Sequence, residues 1–164
     1  MASLLFAAAF AGLLLWAAAS DLATMEIPNR ISIIMAALYP AAALVCGMEP
    51  LSILFHMGLG AAALAIGWGL FSLGVFGGGD AKVIAAAAIW TGPAVLLPFL
   101  LVTAIAGGGL AALALVTRAR FKPADGMPSF VNRFLGERGV PYAVAIAAGG
   151  LAIVARLPIV ASAA

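Results

Sequence analysis

Apolar residues run along this chain in blocks long enough to cross a bilayer, and polar residues are confined to the gaps. The first block runs from Ser3 to Ser20 and stops at Asp21. Ile31 to Cys46 is the second and Leu51 to Val75 the third. A short fourth begins at Ala81 and ends near Thr91-Gly92-Pro93. Ala94 to Thr117 is the fifth and Val140 to Leu157 the sixth. The gaps carry turn chemistry: Ile27-Pro28-Asn29, Gly47-Met48-Glu49-Pro50, Gly77-Gly78-Gly79, Gly92-Pro93, and a polar stretch from Arg118 to Gly139. An α-helix needs about 17–25 apolar residues to cross roughly 30 Å of hydrocarbon. The pattern predicts an all-α, polytopic membrane protein of about six transmembrane helices, folded as one domain over residues 1–164.

Composition removes the soluble alternative. The chain is 66% hydrophobic and 9% charged, with a mean hydropathy of +1.22. An ordinary soluble domain is about 25% charged, so there is too little polar surface here to coat a globule in water. A net charge of +2 is too small to suggest a nucleic-acid partner; where the charges lie says more. Seven of the eight basic residues (Arg30, Lys82, Arg118, Arg120, Lys122, Arg133 and Arg138) fall in alternate gaps, which six spans would place on one side. Positive loops stay cytoplasmic. Both termini are then expected outside the cytoplasm, and Asp21 and Asp80 at the cytoplasmic interface.

Ala17-Ala18-Ala19-Ser20 has the small residues of a signal-peptide cleavage site, but residues 1–5 contain no Lys or Arg. Without that positive region the first block reads as a retained helix. Trp16 and Trp68 are expected near the cytoplasmic face and Trp90 near the outer one, as an aromatic belt. Gly58, Gly60, Gly67, Gly69 and Gly74 in the third block read as close-packing positions. The single Cys46 excludes an intrachain disulfide and any C-x-x-C motif, and reads as a small buried hydrophobe.

The chemistry concentrates on two carboxylates. Placing one at membrane depth costs at least ~2.5 kcal/mol on insertion scales, so Asp21 and Asp80 are candidates for function. Two carboxylates sharing one proton are the chemistry of aspartic proteolysis. Three glycines before Asp80 allow a sharp turn and close approach of an extended peptide backbone. Asp80 is expected to cap the fourth helix, whose positive end favours its ionised form, and Asp21 to end the first, whose negative end favours the proton. The pair titrates as a unit.

Asp21, Ile27-Pro28-Asn29 and Gly77-Gly78-Gly79-Asp80-Ala81-Lys82 together closely resemble the type IV prepilin peptidases, membrane aspartic proteases with a Gly-x-Gly-Asp motif. The short length resembles the small branch serving Flp, or tight-adherence, pili. The likeness extends to Pro141-Tyr142, which opens the last block. It implies an endopeptidase that removes prepilin leaders, with Asp21 and Asp80 catalytic, Gly77, Gly79 and Lys82 positioning the substrate, and no cofactor. Larger members carry an insertion with paired C-x-x-C zinc motifs and also N-methylate the new amino terminus. That insertion is missing here, so the likeness carries over cleavage and not methylation. The stretch after Asp21, often basic in relatives, reads Leu22-Ala23-Thr24-Met25-Glu26.

Other polar residues read structurally. Glu26 is a solvated loop charge that could also meet a basic leader. Asn29 caps the second helix behind Pro28. Lys82 is a positive-inside anchor whose charge would also favour an ionised Asp80. His56, alone towards the outer leaflet, packs or hydrogen-bonds, and no metal site is expected around it. Phe130, Val131, Phe134 and Leu135 alternate with polar residues as in a short amphipathic helix on the cytoplasmic surface. Two other classes of function fit an acid pair in a membrane protein: a proton-coupled transporter and a structural part of a secretion assembly. Transporters place such residues near the midplane between repeats, and neither feature is present. A structural part leaves the glycine run and the edge aspartates without purpose.

Overall fold

In a computed structural model, residues 1–122, 126–136 and 139–161 are described, and every regular element among them is helical. They are α1 (Ala2–Thr24), α2 (Asn29–Val45), α3 (Pro50–Ser72), α4 (Gly78–Arg120), α5 (Ser129–Gly136) and α6 (Ala143–Ile153). A 3-10 turn (Val154–Arg156) and a short α7 (Pro158–Ala161) close the chain. Among the described residues, four helical stretches are long and apolar enough to cross a membrane: α1, α3, α4, and the run Ala143–Ala161; α2 is apolar but shorter, at 17 residues.

The fourth and fifth apolar blocks, expected as separate helices, are joined within the 43 residues of α4. Straight, that length would span about 65 Å, more than twice the hydrocarbon thickness. It is not straight. Gly92 has φ 57° and ψ −173°, a conformation almost closed to residues with a Cβ. The packing shows the chain folding back there. Gly67 lies against Ala81, Gly60 against Ile89 and His56 against Gly92, so the first leg of α4 is antiparallel to α3. Tyr142 lies against Gly107 and Gly149 against Thr103, so the second leg is antiparallel to α6. A single glycine does the work of a loop.

Pro93 explains the buried histidine. In an unbroken helix the Ile89 carbonyl would accept the N–H of residue 93, which proline lacks. His56 Nδ1 donates to it instead, at 2.7 Å. His56 also stacks on Tyr39, with ring centroids 5.2 Å apart. Its expected structural role stands.

The belt reading of the tryptophans divides. Trp16 and Trp68 are exposed, and the Arg30 guanidinium lies 5.0 Å above the Trp16 ring. Trp90 instead is fully buried, stacked on Phe10 at 5.1 Å, with its Nε1 donating to the Met35 carbonyl at 2.8 Å. It belongs to the core. The α3 glycines divide too: Gly60 and Gly67 meet α4 closely, whereas Gly58 and Gly69 face open space and Gly74 takes a positive φ of 71° just past the helix. Small residues at that contact let two backbones approach where lipid supplies no hydrophobic drive. Cys46, expected buried, is half-exposed. Part of the polar stretch forms α5 as an amphipathic helix, with Arg118 bonded to the Phe134 carbonyl at 2.8 Å and to the Gly139 carbonyl at 2.6 Å. Residues 123–125 and 137–138 of that stretch, Asp125 and Arg138 among them, lie outside the described residues.

Candidate active site

Three helix ends meet at one end of the bundle: the C-terminus of α1 and the N-termini of α4 and α6. Helix α1 ends at Met25, whose φ of 56° is left-handed and whose N–H bonds to the Asp21 carbonyl at 2.8 Å. Asp21 itself is buried, at 6% exposure. Its Oδ2 accepts the N–H of Ala143 at 2.9 Å. Ala143 is the first residue of α6, and that helix takes no side-chain cap from its own Tyr142. A carboxylate from 122 positions away therefore caps it, with the positive helix end favouring the anion.

Asp80 is not the cap of α4, as expected, but its third residue; Gly77 is the cap. The first helical bond runs from the Ala81 N–H to the Gly77 carbonyl at 3.0 Å, which leaves the amides of residues 78–80 without intrahelical acceptors. The Asp80 side chain is half-buried and folds back over Gly77: a Cβ on Gly77 would stand 2.5 Å from Oδ2. Asp21 and Asp80 are near enough to act on each other electrostatically. Both carboxylates sit at positive helix ends, so the helix-end argument that assigned the proton to Asp21 no longer separates them.

The glycine run is also not the sharp turn that was expected. None of Gly77, Gly78 and Gly79 takes a positive φ, and the last two open α4 as helical residues. A Cβ on Gly78 would meet the Phe71 ring at 3.2 Å, and one on Gly79 would meet Ile27 at 3.3 Å. These glycines serve close packing around Asp80, with the tightest restriction at Gly77.

Lys82 is exposed and donates to the Asn29 amide oxygen at 2.9 Å. Asn29 is the first residue of α2 and Pro28 its cap, the reverse of the expected order. Among the described residues no ion pair joins Lys82 to Asp80; the lysine ties the loop after α1 to the start of α4. Glu26 is exposed, and its backbone rather than its carboxylate is engaged, by Ser20 and Thr24.

Tyr142 is the residue that sequence reasoning undervalued. It precedes the Ala143 amide that holds Asp21, and its ring meets Phe76 edge-on at 5.8 Å. It packs against Gly107 on the other side. Burial, and then the charge of Asp80, push its hydroxyl pKa up, so the phenol stays protonated and remains a donor beside the carboxylates. Its place opening the last apolar block was the only signal of this in the sequence.

A family model described as the type IV leader peptidase family matches residues 8–112, well over half of the chain. The chain belongs to that family. The match includes Asp21, the glycine run, Asp80 and Lys82, and stops short of Tyr142 and α6. Neither a curated protein nor a solved structure matches the chain. Family membership makes this leader peptidase a protease acting in a membrane on prepilin. Among the described residues, no three of His, Cys, Asp and Glu come together as a metal site would require.

Proposed function

We propose that this leader peptidase is an aspartic endopeptidase in which Asp21 and Asp80 share one proton. The observation that carries this reading is the convergence of the two carboxylates, from α1 and α4, on the N-terminus of α6. The ionised member of the pair takes a proton from a water molecule, whose oxygen attacks the carbonyl carbon of the scissile bond. The protonated member then gives its proton to the departing amine. Unpaired amides at the start of α4 and the Tyr142 hydroxyl are donors on hand for the oxygen that gains charge. No covalent intermediate is involved.

The substrate is a prepilin of the Flp type, cut at the cytoplasmic face of the inner membrane. Seven of the eight basic residues fall in the alternate gaps of the sequence that six spans would place on the side of the aspartates, which supports this orientation. The test is cleavage of a prepilin by the purified protein in lipid vesicles. Asp21→Asn and Asp80→Asn each keep the fold and lose cleavage. Activity surviving in either variant removes that residue from the mechanism. Cysteine labels at Thr24 and Glu49 test the orientation: only the second is expected to react from outside.

A further inference from the structure

A groove of about 820 Å³ runs along the first leg of α4, with α2 and α3 as its walls. Its floor includes Ala81, Ala85 and Ile89, and it starts within two residues of Asp80. Ile33 and Leu64 line it and are 63% and 43% exposed, so it opens sideways, towards lipid in a membrane. Its polar lining residues are Asn29, Ser32 and Lys82, all at the carboxylate end, as is the indole of Trp68; beyond them the lining is apolar. From Gly78 to Ile89 the floor extends about 16 Å, half of the hydrocarbon thickness. Such a gradient matches a chain whose scissile bond lies in the polar edge while its continuation runs into the bilayer.

We propose that this groove seats the apolar helix adjoining the scissile bond of the peptidase's own substrate. The inference rests on the proposed peptidase function and adds the surface by which the substrate is held. Ala36 and Ala61 line the two walls with small, accessible side chains that let a second helix approach closely, which is how helices associate in lipid. An occupant seated here contributes binding equally to ground and transition states, so filling the groove raises KM rather than lowering kcat.

The experiment uses the protein in lipid vesicles and two substrates, a full-length prepilin and a short peptide with the same cleavage site but no apolar segment. Ala61→Trp and Ile33→Trp add bulk from the two walls, at exposed lining positions. Ala62→Trp, exposed but outside the groove, is the control. The wall variants are expected to raise KM for the full-length precursor at least about tenfold more than for the short peptide, with kcat for the precursor held within about twofold. Equal effects on both substrates, or none, overturn the proposal. A benzophenone attached at Leu64→Cys, in a Cys46→Ser, Asp80→Asn background, is expected to link to the precursor. Adducts with lipid alone or with a second copy of the chain also overturn it. If the wild type cleaves neither substrate, the peptidase reading fails, and the crosslink alone still decides whether the groove holds the precursor.

Discussion

The first leg of α4 has glycine at both ends, a turn at Gly92 and close packing at Gly77, and the two ends bury polar groups to opposite effect. At the Gly92 end, His56 fills the turn and its ring nitrogen satisfies the one carbonyl that Pro93 leaves without a donor. Tyr39, Trp90 and Phe10 close around it. At the Gly77 end, one oxygen of Asp21 is held by a backbone amide, and Asp80 lies near enough to feel its charge. A buried polar group whose partners complete its valence is structural. Two carboxyl groups brought together at membrane depth, at a cost in stability, need another reason to be there.

The largest effect expected from this contrast is at the carboxylates. Asp21→Asn or Asp80→Asn should lower prepilin cleavage by about 10²–10⁴-fold, the range that loss of a general acid or base produces. Thermal stability in detergent should hold, because asparagine keeps the size of the side chain and, at position 21, an oxygen for the Ala143 amide. A variant that unfolds in step with its loss of activity would make the aspartates structural after all.

The opposite result is expected at the other end. Gly92→Ala forces a Cβ into a conformation that costs about 1–3 kcal/mol, and the new carbon overlaps the His56 ring. His56→Ala leaves the Ile89 carbonyl unpaired, at about 1–3 kcal/mol. Both should lower the melting temperature while the protein that remains folded cleaves normally. A fall in kcat with the fold intact would bring His56 into the chemistry and break the contrast.

Much of this architecture was legible because lipid demands long apolar helices and punishes misplaced charge. The apolar blocks and the two edge aspartates show in the sequence for that reason. What did not show depends on contacts between distant segments. The amide of Ala143 meets Asp21 across 122 positions, and no local pattern signals it. Trp90 looked like an interfacial residue because its neighbour is the Gly92 turn, yet the turn folds the chain so that the indole is enclosed. The triple glycine read as a flexible turn because glycine permits positive φ; here it is used for space instead.

That difference gives a smaller, sharper effect at Gly77. Gly77→Ala should lower cleavage about tenfold, a cost of the order of one displaced side chain at a catalytic centre, because the added carbon pushes Asp80 out of place. Gly78→Ala and Gly79→Ala meet a ring edge and an isoleucine that can shift by tenths of an ångström, so they should cost less. Melting temperatures measured beside cleavage separate displacement of Asp80 from unfolding. If Gly79→Ala proves the most damaging, the glycines act through the loop carrying Ile27 rather than through Asp80.

The smallest effect expected is none, on treatment with chelators and on Cys46→Ser. His56 and Cys46 are the soft donors of this chain, since it holds a single histidine and a single cysteine. Both lie away from the carboxylates: His56 is committed to the Ile89 carbonyl, and Cys46 is the cap residue at the far end of α2. Among the described residues, the side chains near the aspartates include a phenol, an ammonium held by Asn29, and apolar groups. Among the described residues no third His, Cys, Asp or Glu joins the two carboxylates, and two carboxylates alone make a weak site for a divalent cation while being suited to sharing a proton. Cleavage in EDTA should therefore match the untreated enzyme, and Cys46→Ser should cleave at the wild-type rate. Loss of activity in EDTA that zinc restores would mean that the acid pair binds metal, and that its nucleophile is a metal-bound water rather than one activated by Asp21 and Asp80 alone.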